Sequence, residues 1–267
     1  MKNIEVDELK RIQIDILDFV DEFCKKHNIK YFLTGGTLIG AIRHKGYIPW
    51  DDDIDICMLR DDYDRFIDVF HKENSPVYKV LSHTIQKGYP YPYAKVSNDK
   101  TVLKEDAIIS FEMGVNIDVF PLDTIPTELS LQKNIYKKFN LLYGILQLKR
   151  LKYSSKRAFL KNVFITVSRL PLKLIPNSYI IKKMHKNAIR YSYYESPLCG
   201  DVVWGYGIRE ITKKEYFKNF LLVDFEGKQY SVPIGFDSFL KGLYGDYMQL
   251  PPEEKRVSHH NFQAYWK

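Results

Sequence analysis

Cysteine is scarce: Cys24, Cys57 and Cys199 are the only three in 267 residues. An odd number without metal-ligand spacing argues against a disulfide framework or a zinc ribbon, and a reducing, cytoplasmic setting is expected. No run approaches about 18 uninterrupted apolar residues, so no membrane-spanning helix is expected. The opening Met1-Lys-Asn-Ile-Glu-Val-Asp-Glu8 is polar, with no apolar signal core behind it. Internal repeats and low-complexity tracts are absent as well.

The most informative absence is of negative charge. Between Leu129 and Tyr194 there is no Asp or Glu, against 15 Lys or Arg. The overall charge of +7 therefore hides a remainder with 25 basic and 33 acidic residues. A basic segment rich in Leu, Ile, Phe and Tyr can lie on an anionic membrane surface or hold a phosphorylated substrate. No helix-turn-helix, zinc-finger or RNA-binding signature accompanies it, so no nucleic-acid partner is expected.

What is present begins with enough apolar material for a substantial core, 45% of the residues. Apolar residues at three- and four-residue steps predict an amphipathic helix over Val6–Cys24, covering a sheet. Strands are expected at Ile29–Leu33, Asp53–Leu59, Val77–Ser82, Tyr93–Val96 and Thr101–Lys104. A short helix is expected over Thr37–Ile42, and another from Asp61-Asp62 to Phe70. Val115–Phe120 alternates as a short strand, which Pro121 is expected to end. In the basic region helices are expected at Leu131–Leu151, Arg157–Arg169 and Ser178–Tyr194, with Leu170–Pro176 as a break and Thr127 or Ser130 as a cap. A strand, turn and strand over Phe220–Val232 and a helix over Phe236–Leu243 complete the pattern.

Four carboxylates, Asp51, Asp52, Asp53 and Asp55, fall within five residues beside apolar Ile54 and Ile56. At that density like charges repel, and burial needs a counter-charge. On a strand Asp53 and Asp55 would share a face. Asp118, alone among apolar neighbours on its own strand, is costly to bury without a partner. Three such oxygen donors suit one or two Mg²⁺ ions bridging to a substrate phosphate. Upstream, Gly35-Gly36 allows a tight turn before a helix whose first amides can hold phosphate.

Gly-Gly, then Asp-x-Asp, then a lone strand aspartate resembles the nucleotidyltransferase fold typified by DNA polymerase beta. The longer stretch Thr34-Gly-Gly-Thr-Leu-Ile-Gly-Ala-Ile-Arg43, continuing through His44-Lys-Gly-Tyr-Ile-Pro-Trp-Asp-Asp-Asp-Ile-Asp-Ile56, resembles the signature of the LicD family. Asn116-Ile-Asp-Val-Phe-Pro-Leu-Asp123, Tyr244-Gly-Asp-Tyr-Met248 and Pro251-Pro-Glu-Glu-Lys-Arg256 are similar to its further motifs. That family includes bacterial phosphocholine transferases and fukutin-related proteins. The resemblance implies an α+β fold: a nucleotidyltransferase core with a mixed sheet flanked by helices, plus a basic helical insertion. Three parts are expected: a catalytic core over 1–126, the basic helices over 127–195, and 196–267 completing the cleft.

By the same resemblance, the reaction passes phosphocholine from the donor CDP-choline to a sugar hydroxyl of a teichoic acid or lipopolysaccharide precursor, releasing CMP. Partners would then be a nucleotide-activated alcohol, a glycan or lipid-linked glycan acceptor, and an anionic membrane surface at the cytoplasmic face. Asp53, Asp55 and Asp118 are the expected catalytic and Mg²⁺-binding residues, with Gly35, Gly36 and Thr37 on donor phosphate. Arg43, Lys45 and Lys95 are further phosphate candidates. For a trimethylammonium group, which donates no hydrogen bond, aromatic faces are the natural partner. Trp50 and Trp204 are the leading candidates, with Tyr89, Tyr91, Tyr93 and Tyr206 beside them. His259 and His260 have suitable acid–base chemistry, though a near-terminal pair is commonly surface. Ribitol or glycerol phosphate as the transferred group, or attack on an NTP with release of pyrophosphate, would use the same carboxylates. A non-catalytic membrane- or nucleic-acid-binding protein would leave those buried charges without purpose.

Overall fold

The computed structural model describes residues 2–105, 108, 110–152, 158–204, 206–257 and 262–267. Strand β1 (Lys2–Ile4) leads into α1 (Val6–His27), three residues longer than the periodicity predicts. The extra turn ends where Asn28 adopts the left-handed conformation, its N–H donating to the Cys24 and Lys25 carbonyls. Buried Leu9, Ile12, Ile16, Leu17, Val20 and Phe23 form the face that packs on the main sheet.

Strand β2 (Phe32–Leu33), α2 (Gly35–Arg43), β3 (Asp55–Leu59) and α3 (Arg60–Glu73) follow, then β4 (Tyr78–Leu81), β5 (Ala94–Asn98) and β6 (Thr101–Glu105). The expected strand from Asp53 begins at Asp55 instead, so Asp51–Asp53 lie on the loop that leads into it. Strand β7 (Asn116–Ile125) corrects a second expectation, for it runs straight through Pro121. The reason is its changing neighbours. On one side β5 pairs only as far as Val119, and β8 (Leu198–Gly200) joins from Asp123 onward. Pro121, with no N–H to donate, falls in the gap between them.

Three helices fill the basic region: α4 (Leu129–Arg150), α5 (Phe159–Leu172) and α6 (Asn177–Ala188). Neither Thr127 nor Ser130 caps α4; Glu128 holds that position without a side-chain bond. Pro171 is carried inside the last turn of α5, so the helix runs to Leu172, into the stretch expected to break it. Arg157, the expected start of that helix, lies outside the described residues. After β8 come β9 (Thr212–Lys213), β10 (Phe220–Phe225), β11 (Lys228–Pro233), α7 (Phe236–Tyr244) and β12 (Phe262–Trp266).

The main sheet has the order β2-β3-β7-β5-β4, with β8 and β9 extending it from the far half of β7. Only β3 and β7 run parallel, and the other pairs are antiparallel. A separate sheet joins β1, β12 and β6, and β10–β11 form a hairpin. This is a mixed α+β architecture in which the parallel pair lies inside the main sheet, with α1 packed on β7 and α3 on both strands.

Candidate active site

The register of the sheet brings the acids together. Asp55 is the residue opposite Asp118 on the parallel pair, and Lys95 is opposite Asp118 on the other side. Residues directly opposite share a face, so one row across three strands reads Asp55, Asp118, Lys95. Lys95 Nζ lies 2.5 Å from Asp118 Oδ1 and 3.0 Å from the amide oxygen of Asn116. The Tyr91 and Tyr93 rings face the same ammonium at 4.9 and 5.6 Å. Lys95, expected on a substrate phosphate, thus holds a carboxylate in this structure.

The head of α2 locks Asp55 from the opposite side. Thr37 Oγ1 accepts the Asp55 N–H at 2.8 Å, and the Thr34 N–H donates to the Asp55 carbonyl at 3.1 Å. Thr37, expected to touch phosphate, is buried behind this strand and positions it. Both glycines are required by close approach: Gly35 has φ +56°, and a Cβ on Gly36 would sit 2.4 Å from Asp51 Oδ2. The loop itself is sewn to α1 by Gln13, whose amide donates to the Asp52 and Asn116 carbonyls and accepts from the Tyr47 hydroxyl.

Burial pushes the Asp55 carboxyl well above the ordinary carboxylate range, and the negative charges of Asp53, Asp118 and Asp51 push it further. Lys95 opposes the shift. Four acids from a loop and two strands therefore share one electrostatic neighbourhood. Among the described residues, however, no three carboxylate, imidazole or thiolate groups converge as a ready-made metal cage.

Asp55, Gly35 and Gly36 are among the residues that line a cleft of about 370 Å³. Its wall also carries Phe120, Phe139, Asn140, Tyr143, Trp204, Tyr206 and Tyr244. The Trp204 ring, 37% exposed, stands edge-on between Tyr93 at 5.4 Å and Tyr143 at 5.3 Å. Asp201 and Glu210 also line this wall, and sequence reasoning missed both. The segment around them has no periodicity, and nothing local distinguishes a buried acid from a solvated one.

Other predicted residues lie apart from the cleft. Arg43 spends its guanidinium on the carbonyls of Tyr247 and Gln249 and on His44, tying down the Tyr244–Met248 motif. Lys45 is exposed, with φ +61°, and its carbonyl accepts the Glu226 N–H at the tip of the β10–β11 hairpin. Trp50 packs between His44 and Arg256. Tyr89, Tyr91 and Tyr93 are buried, whereas Tyr206 is exposed at the cleft. His259 and His260 lie outside the described residues.

A cleft lined by a strand carboxylate and several ring faces fits an enzyme of the transferase class. The family model described as LicD/FKTN/FKRP, nucleotidyltransferase domain, matches residues 28–133. The chain is 35% identical to the lipopolysaccharide cholinephosphotransferase LicD of Haemophilus influenzae, over 99% of both chains. Uncharacterized proteins of Rickettsia typhi and Rickettsia prowazekii are 34% and 36% identical over 34% and 29% of this chain, and over 28% and 25% of their own. The chain belongs to the LicD family.

Proposed function

We propose that this protein transfers phosphocholine from CDP-choline to a sugar hydroxyl of a cell-envelope glycan precursor, with Mg²⁺ as cofactor, on a core of nucleotidyltransferase type. The observation that carries the reading is the cleft. Its wall carries both Asp55, in register with Asp118, and Trp204, which stands between Tyr93 and Tyr143. Phosphocholine is an anion and a quaternary cation joined by two carbons; the N-terminal end of α2 suits the anion and the ring faces suit the cation. The name of the full-length Haemophilus influenzae relative favours lipopolysaccharide as acceptor; a teichoic acid precursor offers the same hydroxyl chemistry.

In the transfer, the acceptor hydroxyl gives up its proton to solvent and its oxygen forms a bond to the phosphorus that bears choline. The bond from that phosphorus to the oxygen bridging to the second phosphate breaks, and CMP leaves with the electron pair. Gly35 and Gly36, at the N-terminal end of α2, are placed where helix amides favour phosphate oxygens. The residues present suit a divalent ion by donor chemistry, since hard carboxylate oxygens repel one another around buried Asp55. Mg²⁺ held by Asp53, Asp55 and Asp118 would offset the charge of the diphosphate. Thr37, Gln13 and Lys95 then act by fixing the carboxylates that face the donor.

The acceptor side uses the acid-free helices. α5 exposes Phe159, Leu160, Val163, Phe164, Val167 and Leu170, and Leu174 just beyond it, at spacings of one, three and four residues that place them on one face. Lys161 and Lys173 are exposed beside that face. An apolar helical face with basic flanks matches the interface of an anionic leaflet, where each Lys or Arg adds about 1 kcal/mol. Among the described residues, no helix is long and apolar enough to cross a membrane.

The test is transfer itself. Purified protein, CDP-choline, Mg²⁺ and a membrane glycolipid fraction should yield CMP and a glycan mass increment of phosphocholine. Asp55→Asn and Asp118→Asn should each lower the rate about a hundredfold or more, as expected when preorganised charge stabilisation is lost. Pyrophosphate release from CTP, or an increment of ribitol or glycerol phosphate, would overturn the donor assignment.

A further inference from the structure

Asp201 and Glu210 have no part in the chemistry above, yet both line the cleft at only 8% and 7% exposure. Asp201 Oδ1 accepts the N–H groups of Val203 at 2.8 Å and Trp204 at 2.9 Å. Glu210 Oε1 accepts the Tyr206 N–H at 3.1 Å. These bonds anchor the two carboxylates to the same turn that presents Trp204 and Tyr206. Each uses one oxygen, and neither acid enters an ion pair among the described residues.

A second observation concerns the wall behind these acids. The Tyr136 hydroxyl, on a residue 3% exposed, has no hydrogen-bond partner. It lies 2.9 Å from where a Cβ on Gly200 would stand, next to Asp201. The Glu210 carbonyl lies 3.0 Å from the same point, so the three residues are neighbours; burial, then the charges of Asp201 and Glu210, make the hydroxyl a weaker acid than an ordinary phenol. Two buried acids that enter no ion pair among the described residues, beside an unpartnered hydroxyl, form an environment that a positive ligand would relieve. The rings supply the rest. Trp204 is half-open to the cleft, and Tyr206 meets Tyr244 edge-to-face at 5.5 Å. A quaternary ammonium, which cannot donate a hydrogen bond, is held by ring faces and by a nearby anion.

We propose that Asp201 and Glu210, together with Trp204, Tyr143 and Tyr206, form a cation-selecting subsite that admits a quaternary ammonium head group and disfavours neutral polyols. The inference rests on the phosphocholine reading and adds its specificity determinants. A neutral head group would leave the acids uncompensated, so selection comes from charge and not only from shape.

The experiment compares CDP-choline with the CDP ester of 3,3-dimethylbutanol, which has the same shape and no charge. Wild-type protein should favour the choline donor by about tenfold or more in kcat/KM, the scale of a close charge contact. Glu210→Gln and Asp201→Asn keep an acceptor for the backbone N–H groups and remove the charge. Either should raise KM for the choline donor about tenfold while leaving the dimethylbutyl donor within twofold. Equal rates with both donors in the wild type, or an equal loss on both in each variant, would overturn the subsite. Binding of tetramethylammonium, followed by tryptophan fluorescence, separates this inference from the donor reading. Glu210-dependent binding without CMP release would sink phosphocholine transfer and keep the subsite. CMP release with charge-blind donor use would do the reverse.

Discussion

Replacing Arg60 tests how the central strands are held. Arg60, the first residue of α3, follows β3 directly, and Asp123 lies on β7 just past Leu122, the partner of Leu59. The guanidinium binds the carboxylate as a fork, Nε to Oδ1 at 2.8 Å and Nη2 to Oδ2 at 2.9 Å. The residues are 8% and 1% exposed, so the fork staples one end of the strand pair whose other end carries Asp55 and Asp118. Arg60→Met leaves Asp123 as a buried, unpaired charge, and loss of about 3–5 kcal/mol follows. At roughly 2–4 °C per kcal/mol for a chain near this size, Tm falls by roughly 6–20 °C. Asp123→Leu should cost less, because Arg60 keeps Asp64 at 3.3 Å and the Tyr63 ring at 4.9 Å. The double variant removes both charges and should recover most of the loss. Urea and thermal unfolding followed by circular dichroism at neutral pH give the cycle. A loss below about 1 kcal/mol for Arg60→Met, the range of exposed pairs, would refute the reasoning. So would a double variant less stable than both singles. At a temperature where all forms are folded, the double variant should retain transfer, since neither residue lines the cleft.

Burial raises the Glu210 carboxyl to about 7. Because the folded value lies above the unfolded one, its stabilising contribution is complete below the ordinary carboxylate range and is lost as pH rises through about 7. Glu210→Gln should therefore flatten the decline of wild-type Tm between mildly acidic and mildly alkaline buffer; an unchanged slope would contradict it. Gly36→Ala would put a methyl 2.4 Å from Asp51 Oδ2, and transfer should fall several-fold while far-ultraviolet dichroism holds. Wild-type turnover in that variant would show that Asp51 can move freely. Phe159→Glu, Leu160→Glu and Phe164→Glu combined should abolish flotation with anionic vesicles at low salt and spare transfer to a short soluble acceptor. Unchanged flotation would reject the membrane role of α5.

Much of this molecule could be read without its tertiary structure, because the signals are local. The amphipathic face of α1, the β10–β11 hairpin and the Gly35-Gly36 turn each depend on residues a few positions apart. Charge was readable for the same reason: an acid among apolar strand neighbours, as at Asp118, carries its burial problem in its immediate context. The acid-free stretch likewise pointed to basic helices, although not to which helix would leave an apolar face uncovered.

Contacts between distant segments were decided elsewhere. Asp55, Asp118 and Lys95 form a row only because three strands pair in one register, and that register depends on burial of both faces of β7. Pro121 looked like a strand end until the gap between β5 and β8 gave its missing N–H a place. Arg43 looked like a phosphate ligand, but packing turned it toward the carbonyls of Tyr247 and Gln249. Asp201 and Glu210 carried no local mark at all. Their importance comes from desolvation inside a cleft walled by α4, β7 and α7, and desolvation is a property of the assembled surroundings, not of the residue or its neighbours in the chain.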